Sequence, residues 1–357
     1  MTDNLISREH STILKGFLIL LIILGHLRGI SENFQDYLYS FHVQCFFILP
    51  FLYPSKKYNF TYIKNLFLKL YWPDWLFYTL FILLSIFILK DSAFVSKKNL
   101  IPGVNNILLG LWSYITGGMS LINKYCGVIF LWFLPCFFSL SLIRSWFYNK
   151  VRSEFVKTFF LFIGLICFFI FNVLLLRNGF LPKSFFYIAY AVSPFSILQG
   201  IGYFSLGYFS LHFIRFISNY ESAKYYLWGG VITTILLYFF FNKNQLIFRL
   251  LRFISPTLYF TFFYFFIEYL SKFRIFNIFG KYSLSIYLIH PIICIAIEMV
   301  VPIYILQNVF SLVIEFLFVT SISLMISILI ERIKLLRMFI FPKGEEIGRE
   351  YKKLFHR

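Results

Sequence analysis

Two side chains in one apolar run carry the first chemical signal. From Leu14 to Leu27 the chain reads LKGFLILLIILGHL, with Lys15 at its start and His26 near its end, 11 residues apart. At about 100° and about 1.5 Å per residue, a helix would point both the same way, roughly 16 Å apart along its axis. An ammonium can hold an anion, and an imidazole exchanges protons near neutral pH. A lipid-facing helix gains nothing from either group, whereas a helix lining a polar site gains from both. Two further histidines stand within apolar runs: His42 in YSFHVQCFFILP and His290 in GKYSLSIYLIHP. His26 and His42 lie at the facing ends of consecutive apolar stretches joined by a short loop, so they are expected to face one cavity. Ser283, Tyr287 and His290 fall at i, i+4 and i+7, on one helix face. Such a stripe lines a cavity or glues two helices together. His10 and His356 are in polar tails, and His212 ends a span beside Arg215.

Composition says what must carry these residues. The chain has 357 residues, 60% hydrophobic and 23% aromatic, with 13% charged and a mean hydropathy of +0.78. Soluble domains are nearer 45–50% apolar and about 25% charged. The chain therefore reads as an all-α integral membrane protein. Ten spans are expected, at 13–30, 37–54, 73–90, 127–146, 158–176, 190–211, 226–241, 253–270, 282–299 and 309–330. With the N-terminus inside, 23 of the 33 Lys and Arg residues fall in inner segments, which places both termini in the cytoplasm. The net charge of +18 reads as topology and attraction to lipid headgroups, with no nucleic-acid partner.

Residues 1–335 are expected to form one transmembrane domain and 336–357 a charged cytoplasmic tail. Residues 55–72 read as a basic amphipathic helix on the inner surface, closed by Pro73. Residues 91–126 form the longest outer connection. The first apolar core is followed by GHLRG rather than a small-x-small cleavage site, so the first helix is expected to be retained. Cys45, Cys126, Cys136, Cys167 and Cys294 show no CxxC and read as small core residues, with no metal motif.

The same residues resemble a known family. Lys15-x10-His26 is similar to the Arg-x10-His signature of the acyltransferase 3 family, in a form close to its fucose 4-O-acetylase-like branch. Ser40-Phe41-His42 with Phe46-Phe47 resembles its second-helix segment, and Lys69-x-x-x-Pro73 its cytoplasmic basic segment. Leu131 to Pro135 (LWFLP), Phe204 to Tyr208 (FSLGY) and Gly280 to His290 resemble later motifs, in the same order. Lysine in place of arginine at position 15 exchanges a bidentate phosphate contact for a point charge.

The resemblance implies a multi-pass O-acyltransferase of the bacterial plasma (inner) membrane. It would move an acyl group, usually acetyl from acetyl-CoA, to a hydroxyl of a surface glycan or lipid-linked sugar. No permanently bound cofactor is expected. A sugar hydroxyl needs a base, and His26 fits that role. His42 or His290 would position the acceptor or stabilise the oxyanion. Lys15, with Lys64 and Lys69 and the nearby Lys56 and Lys57, would hold the nucleotide end of the donor. A family-level alternative passes the acyl group through a transiently acylated histidine.

Two rival readings lack their signals. A glycan transporter or flippase predicts internal repeats and charged pathway residues. Among the expected spans the acids are only Asp74, Glu268, Glu298 and Glu315, with Glu268 the strongest candidate. A glycan polymerase predicts a large polar outer loop, and the longest one here is partly apolar.

Overall fold

The apolar runs fold as helices, and polar side chains such as Ser7, Ser31 and Asn59 cap helix N-termini. The computed structural model describes residues 5–27, 29–87, 133–169, 194–241, 245–301 and 308–342. Helix α1 spans Arg8–His26. The Ser7 hydroxyl accepts from the His10 N–H at 3.0 Å, and Glu9 lies in the first turn. Both features suit a helix N-terminus, where amide donors lack partners. Ile13, Leu14, Leu18, Ile19, Ile22 and Ile23 are all buried. At helical spacing they cover most of the circumference, so α1 is a central helix rather than a peripheral one.

The remaining helices are α2 (Glu32–Tyr39), α3 (His42–Ile48), α4 (Phe60–Leu66), α5 (Trp72–Phe87), α6 (Phe133–Lys150), α7 (Glu154–Phe169) and α8 (Pro194–Ser218). They continue with α9 (Ala223–Phe241), α10 (Gln245–Phe265), α11 (Ile267–Ser271), α12 (Arg274–Lys281), α13 (Ser283–Val300), α14 (Val309–Arg332) and α15 (Lys334–Ile340). No strand occurs among the described residues. Where these residues cover the ten expected spans they are largely helical. By length and composition, α1 and α14 can each cross a membrane, and the bent pair α12–α13 makes a third if taken as one span.

Two expectations are corrected. The stretch 37–54 is not one helix: it holds the end of α2, then α3, then a 3-10 turn over Leu49–Leu52. Phe41 leaves the helical region at φ −143°, and Pro50 in the turn has no N–H to continue the ladder. Pro73 does not close the basic segment, because α4 passes through a π-helical turn over Phe67–Tyr71 into α5, with Pro73 in its first turn. The wider π turn shifts the carbonyl register that a proline would otherwise clash with. Helix α14 ends at Arg332 and α15 follows at once. The outer connection 91–126, Cys126, Leu131 and Trp132 lie outside the described residues, as does the chain beyond residue 342.

The chain divides into two compact units. The first comprises Met1–Ser55, Val151–Phe180 and Ile201–Leu324. Here α1 and α12 cross with their backbones in contact. A Cβ on Gly16 would collide with the Phe276 carbonyl, and one on Gly280 with the Thr12 carbonyl. Only glycine permits this approach from both sides. The N-terminal end of α1 is tied down as well. The Tyr264 hydroxyl donates to Leu5 O at 3.1 Å, and Leu5 N–H to Leu52 O at 3.2 Å. Helix α13 leaves α12 at 83° and returns along α1.

The second unit comprises Lys56–Lys150, Leu181–Gly200 and Met325–Arg357. The Lys56 carbonyl accepts from Ser145 Oγ at 2.9 Å and from Asn149 Nδ2 at 3.0 Å, which joins the basic segment to α6. The Trp72 indole donates to Phe339 O at 2.7 Å, which holds α15.

Because backbone atoms cannot yield as a flexible side chain can, Gly280→Ala should destabilise the chain by about 1–3 kcal/mol. Gly229, in α9, has open space around it, so Gly229→Ala should be neutral or mildly stabilising. Thermal unfolding in detergent checks both; a Gly280→Ala variant as stable as the parent would contradict the close crossing.

Candidate active site

The C-terminal end of α1 brings histidines from three helices together in the first unit. The His26 Nδ1 lies 2.9 Å from the Ile22 carbonyl and 3.2 Å from the His290 Nε2. The His290 Nδ1 lies 2.9 Å from the Ile286 carbonyl. A carbonyl can only accept, so in the neutral imidazoles Nδ1 carries the proton in both. His290 thus presents a lone pair at Nε2, and His26 Nδ1–H is shared between that lone pair and Ile22 O. The lone pair of His26 falls on its own Nε2. This is the arrangement of a base held by an orienting partner, with an imidazole where a carboxylate often stands.

Local sequence explains the placement of His290. Pro291 follows it within α13 and supplies no N–H to the Tyr287 carbonyl. Tyr287 is buried beside His290, with ring centroids 6.0 Å apart. His290 is 0% exposed, whereas His26 is half-buried. Of this pair, therefore, His26 can meet a ligand and His290 acts behind it.

His42, the first residue of α3, completes the group. Its Nδ1–H donates to Leu38 O, so its Nε2 also carries a lone pair. That atom is buried and has no hydrogen-bond partner among the described residues. It lies close to Gly25, where an added Cβ would sit 3.5 Å away. Tyr39 bridges the two imidazoles, its ring centroid 5.8 Å from that of His26 and 5.0 Å from that of His42.

Helix α2 is clamped over this end of α1 by three consecutive residues. Gln35 Nε2 donates to Gly25 O at 2.8 Å, serving a carbonyl in the last turn of α1. Arg252 Nη2 on α10 donates to Asp36 Oδ1 at 3.3 Å. Tyr37 and Tyr259 share a 2.5 Å hydrogen bond, and Tyr259 in turn meets Thr234 Oγ1 at 3.0 Å. Neighbours on a helix point in different directions, so three successive polar residues reach three places. Sequence reasoning did not single out Gln35, Tyr39 or the Asp36–Arg252 pair. Their one signal is that the polar stretch SENFQDY interrupts two apolar runs.

The expected cations divide between the units. Lys15 is half-buried on α1, on the helix that ends in His26. Lys64 on α4 and Lys69 in the π turn belong to the second unit, and both are exposed. Packing around Lys69 partly desolvates its ammonium and lowers it below the usual lysine range, and the Lys56 charge adds to this. A like-charged pair of this kind favours a bound anion.

Glu268, the acid that a transporter would most need, is exposed and lies 3.7 Å from His10. Asp74 and Glu315 are buried, in α5 and α14. Among the described residues no group of three His, Cys, Asp or Glu could hold a metal ion. Cys45, Cys136, Cys167 and Cys294 are buried free thiols.

The tautomers are open to measurement. Nitrogen-15 NMR of histidine-labelled protein should report the Nδ1–H form at positions 26, 42 and 290. The His26 signal should shift in His290→Ala. Nε2–H imidazoles at these positions would contradict the arrangement.

Comparison with known proteins identifies the scaffold. The family model described as an acyltransferase domain matches residues 11–332, which is most of the chain and includes Lys15, His26, His42 and His290. No curated protein and no solved structure matches. With its apolar helices and this match, the chain belongs to the acyltransferase 3 family of membrane-associated acyltransferases.

Proposed function

We propose that the protein is an O-acyltransferase of the bacterial inner membrane that moves an acetyl group from acetyl-CoA to a hydroxyl of a surface glycan. In this reading about ten spans cross the bilayer with both termini in the cytoplasm. The observation that carries the proposal is the half-buried His26, held by its Nδ1–H against the lone pair of the buried His290.

In the proposed reaction His26 Nε2 removes the proton of the acceptor hydroxyl as its oxygen attacks the thioester carbonyl carbon. The C–S bond breaks, the acyl group stays on the acceptor oxygen, and the thiolate takes the proton back from His26. While His26 is an imidazolium, its Nδ1–H points at two acceptors, Ile22 O and His290 Nε2. Because the partner is itself an imidazole with a lone pair at Nε2, it can also take the Nδ1 proton and return it. His42 offers a lone pair rather than an N–H, which does not suit an oxyanion.

Lys15 sits roughly 16 Å below His26 on the same helix, a span of the order of an extended pantetheine arm. Its charge suits the nucleotide phosphates, as do those of Lys64 and Lys69 on the basic segment. Direct transfer needs no acylated histidine; the same Nε2 lone pair of His26 would serve the alternative relay through an acyl-histidine.

The test compares the surface polysaccharide of the parent strain, a deletion strain and a His26→Ala strain by NMR, with expression confirmed. Deletion should remove O-acetyl signals and leave chain length and export intact. His26→Ala should lower transfer by about 10²–10⁴-fold, the usual worth of a positioned general base. Acetylation at the parental level in His26→Ala would overturn the catalytic role. Loss of chain length or export on deletion would favour a polymerase or a transporter.

A further inference from the structure

A second feature of the first unit lies away from the histidines, on the far side of the Gly16–Gly280 crossing. Helix α12 is eight residues long and meets α13 at 83°. If α13 crosses the bilayer, as the proposed reading has it, α12 lies nearly in the membrane plane. Its residues sort sharply by direction. At about 100° per residue, Phe279, Phe276 and Gly280 occupy one arc of about 100°. That arc faces α1: Phe276 packs edge-on against Phe17 at 5.6 Å between ring centroids, and Phe279 and Gly280 are buried.

The opposite arc is exposed and has two edges. Arg274, Asn277 and Lys281 form one; Ile275 and Ile278 form the other, 47% and 43% exposed. The chain leading into the helix repeats the pairing, with Lys272 beside Phe273, which is 58% exposed. Lys272 lies 5.0 Å from the centre of the Tyr269 ring, and Lys281 5.2 Å from that of Tyr282. None of Lys272, Arg274 and Lys281 forms an ion pair among the described residues. A cationic edge next to an apolar edge, on a helix turned across a membrane-crossing one and flanked by tyrosines, is the pattern of a helix at the headgroup boundary. Long basic side chains keep their charges among headgroups while their stems cover the apolar edge.

We infer that α12 is a lipid-reading element: Lys272, Arg274 and Lys281 bind the phosphates of anionic phospholipids, and Ile275 and Ile278 enter the acyl boundary. The occupant is the bilayer surface, chosen by charge.

The experiment places the purified full chain in nanodiscs of POPC with 30% POPG. The lipid retained after extraction into mild detergent is counted by mass spectrometry. Each cation near an anionic surface is worth about 1 kcal/mol, or roughly fivefold. The parent should thus retain POPG severalfold above its bulk share. Lys272→Gln/Arg274→Gln/Lys281→Gln should bring the ratio close to bulk, and Lys150→Gln/Arg152→Gln/Lys157→Gln, of equal charge, should not. Equal losses in both triple variants would reduce the effect to net charge and overturn the inference, as would a parent that retains lipid at the bulk ratio. All six side chains lie outside the described core, and unfolding in POPC alone checks that both variants fold. Selective POPG retention without acyl transfer in any lipid would leave this inference standing and remove the proposed activity instead.

Discussion

The backbone contact between α1 and α12 is the constraint on which the first unit depends. Gly16 follows Lys15, and Gly280 begins the stretch that ends in His290. Each glycine admits the other helix's carbonyl where any side chain would stop it. From Gly16 to His26 is ten residues, and from Gly280 to His290 is also ten. The chain turns through 83° after α12 and then climbs α13, so two helices pinned at one level meet again at the imidazoles. Widening the crossing by the size of a methyl group would move His290 relative to His26. A hydrogen bond at 3.2 Å has little room for that. Thus the motifs that look like separate fragments in sequence are the two ends of one packed helix pair.

The chemical residues were legible in the sequence because they are polar groups where lipid or core is expected. His26, His42 and His290 stood out for that reason, and the structure sets His290 against His26 while Tyr39 packs against both His26 and His42. Helix α1 was legible too, since its apolar run is long, although it starts at Arg8 and ends at His26 rather than running from 13 to 30. The break in the second apolar stretch was not. Phe41 and Pro50 sit inside a run of hydropathy that a composition window averages away, and only backbone geometry shows the helix ending. Pro73 misled for a related reason: a proline usually ends a helix, but a π turn ahead of it removes the clash. The Asp36–Arg252 pair was hidden because its two ends lie 216 residues apart, and Gln35 because its partner is a backbone carbonyl, Gly25 O.

Burial sets His26 apart from the other two histidines. His26 is half-buried and can touch a reacting group, whereas His42 and His290 are closed off. With Nδ1 of each imidazole tied to a helix carbonyl four residues back, the three rings present lone pairs rather than N–H groups. Such a site accepts protons, which matches the need of a hydroxyl attacking a thioester in the proposed reaction. It also explains the polar clamp on α2. An orphan lone pair in an apolar interior costs about 1–3 kcal/mol, so the elements around His42 must be fixed by other bonds, and Gln35, Asp36 and Tyr37 supply them.

The central claim is that His26 and His290 act as one unit, and a double-mutant cycle measures it directly. Initial rates of acetyl transfer from labelled acetyl-CoA would be taken for the parent, His26→Ala, His290→Ala and the double variant in matched nanodiscs. If His290 acts only through His26, the double variant should be no slower than His26→Ala alone, as residues that form a functional unit are strongly non-additive. Losses that multiply would show that the two histidines work independently, and the shared Nδ1–H would then have no part in catalysis.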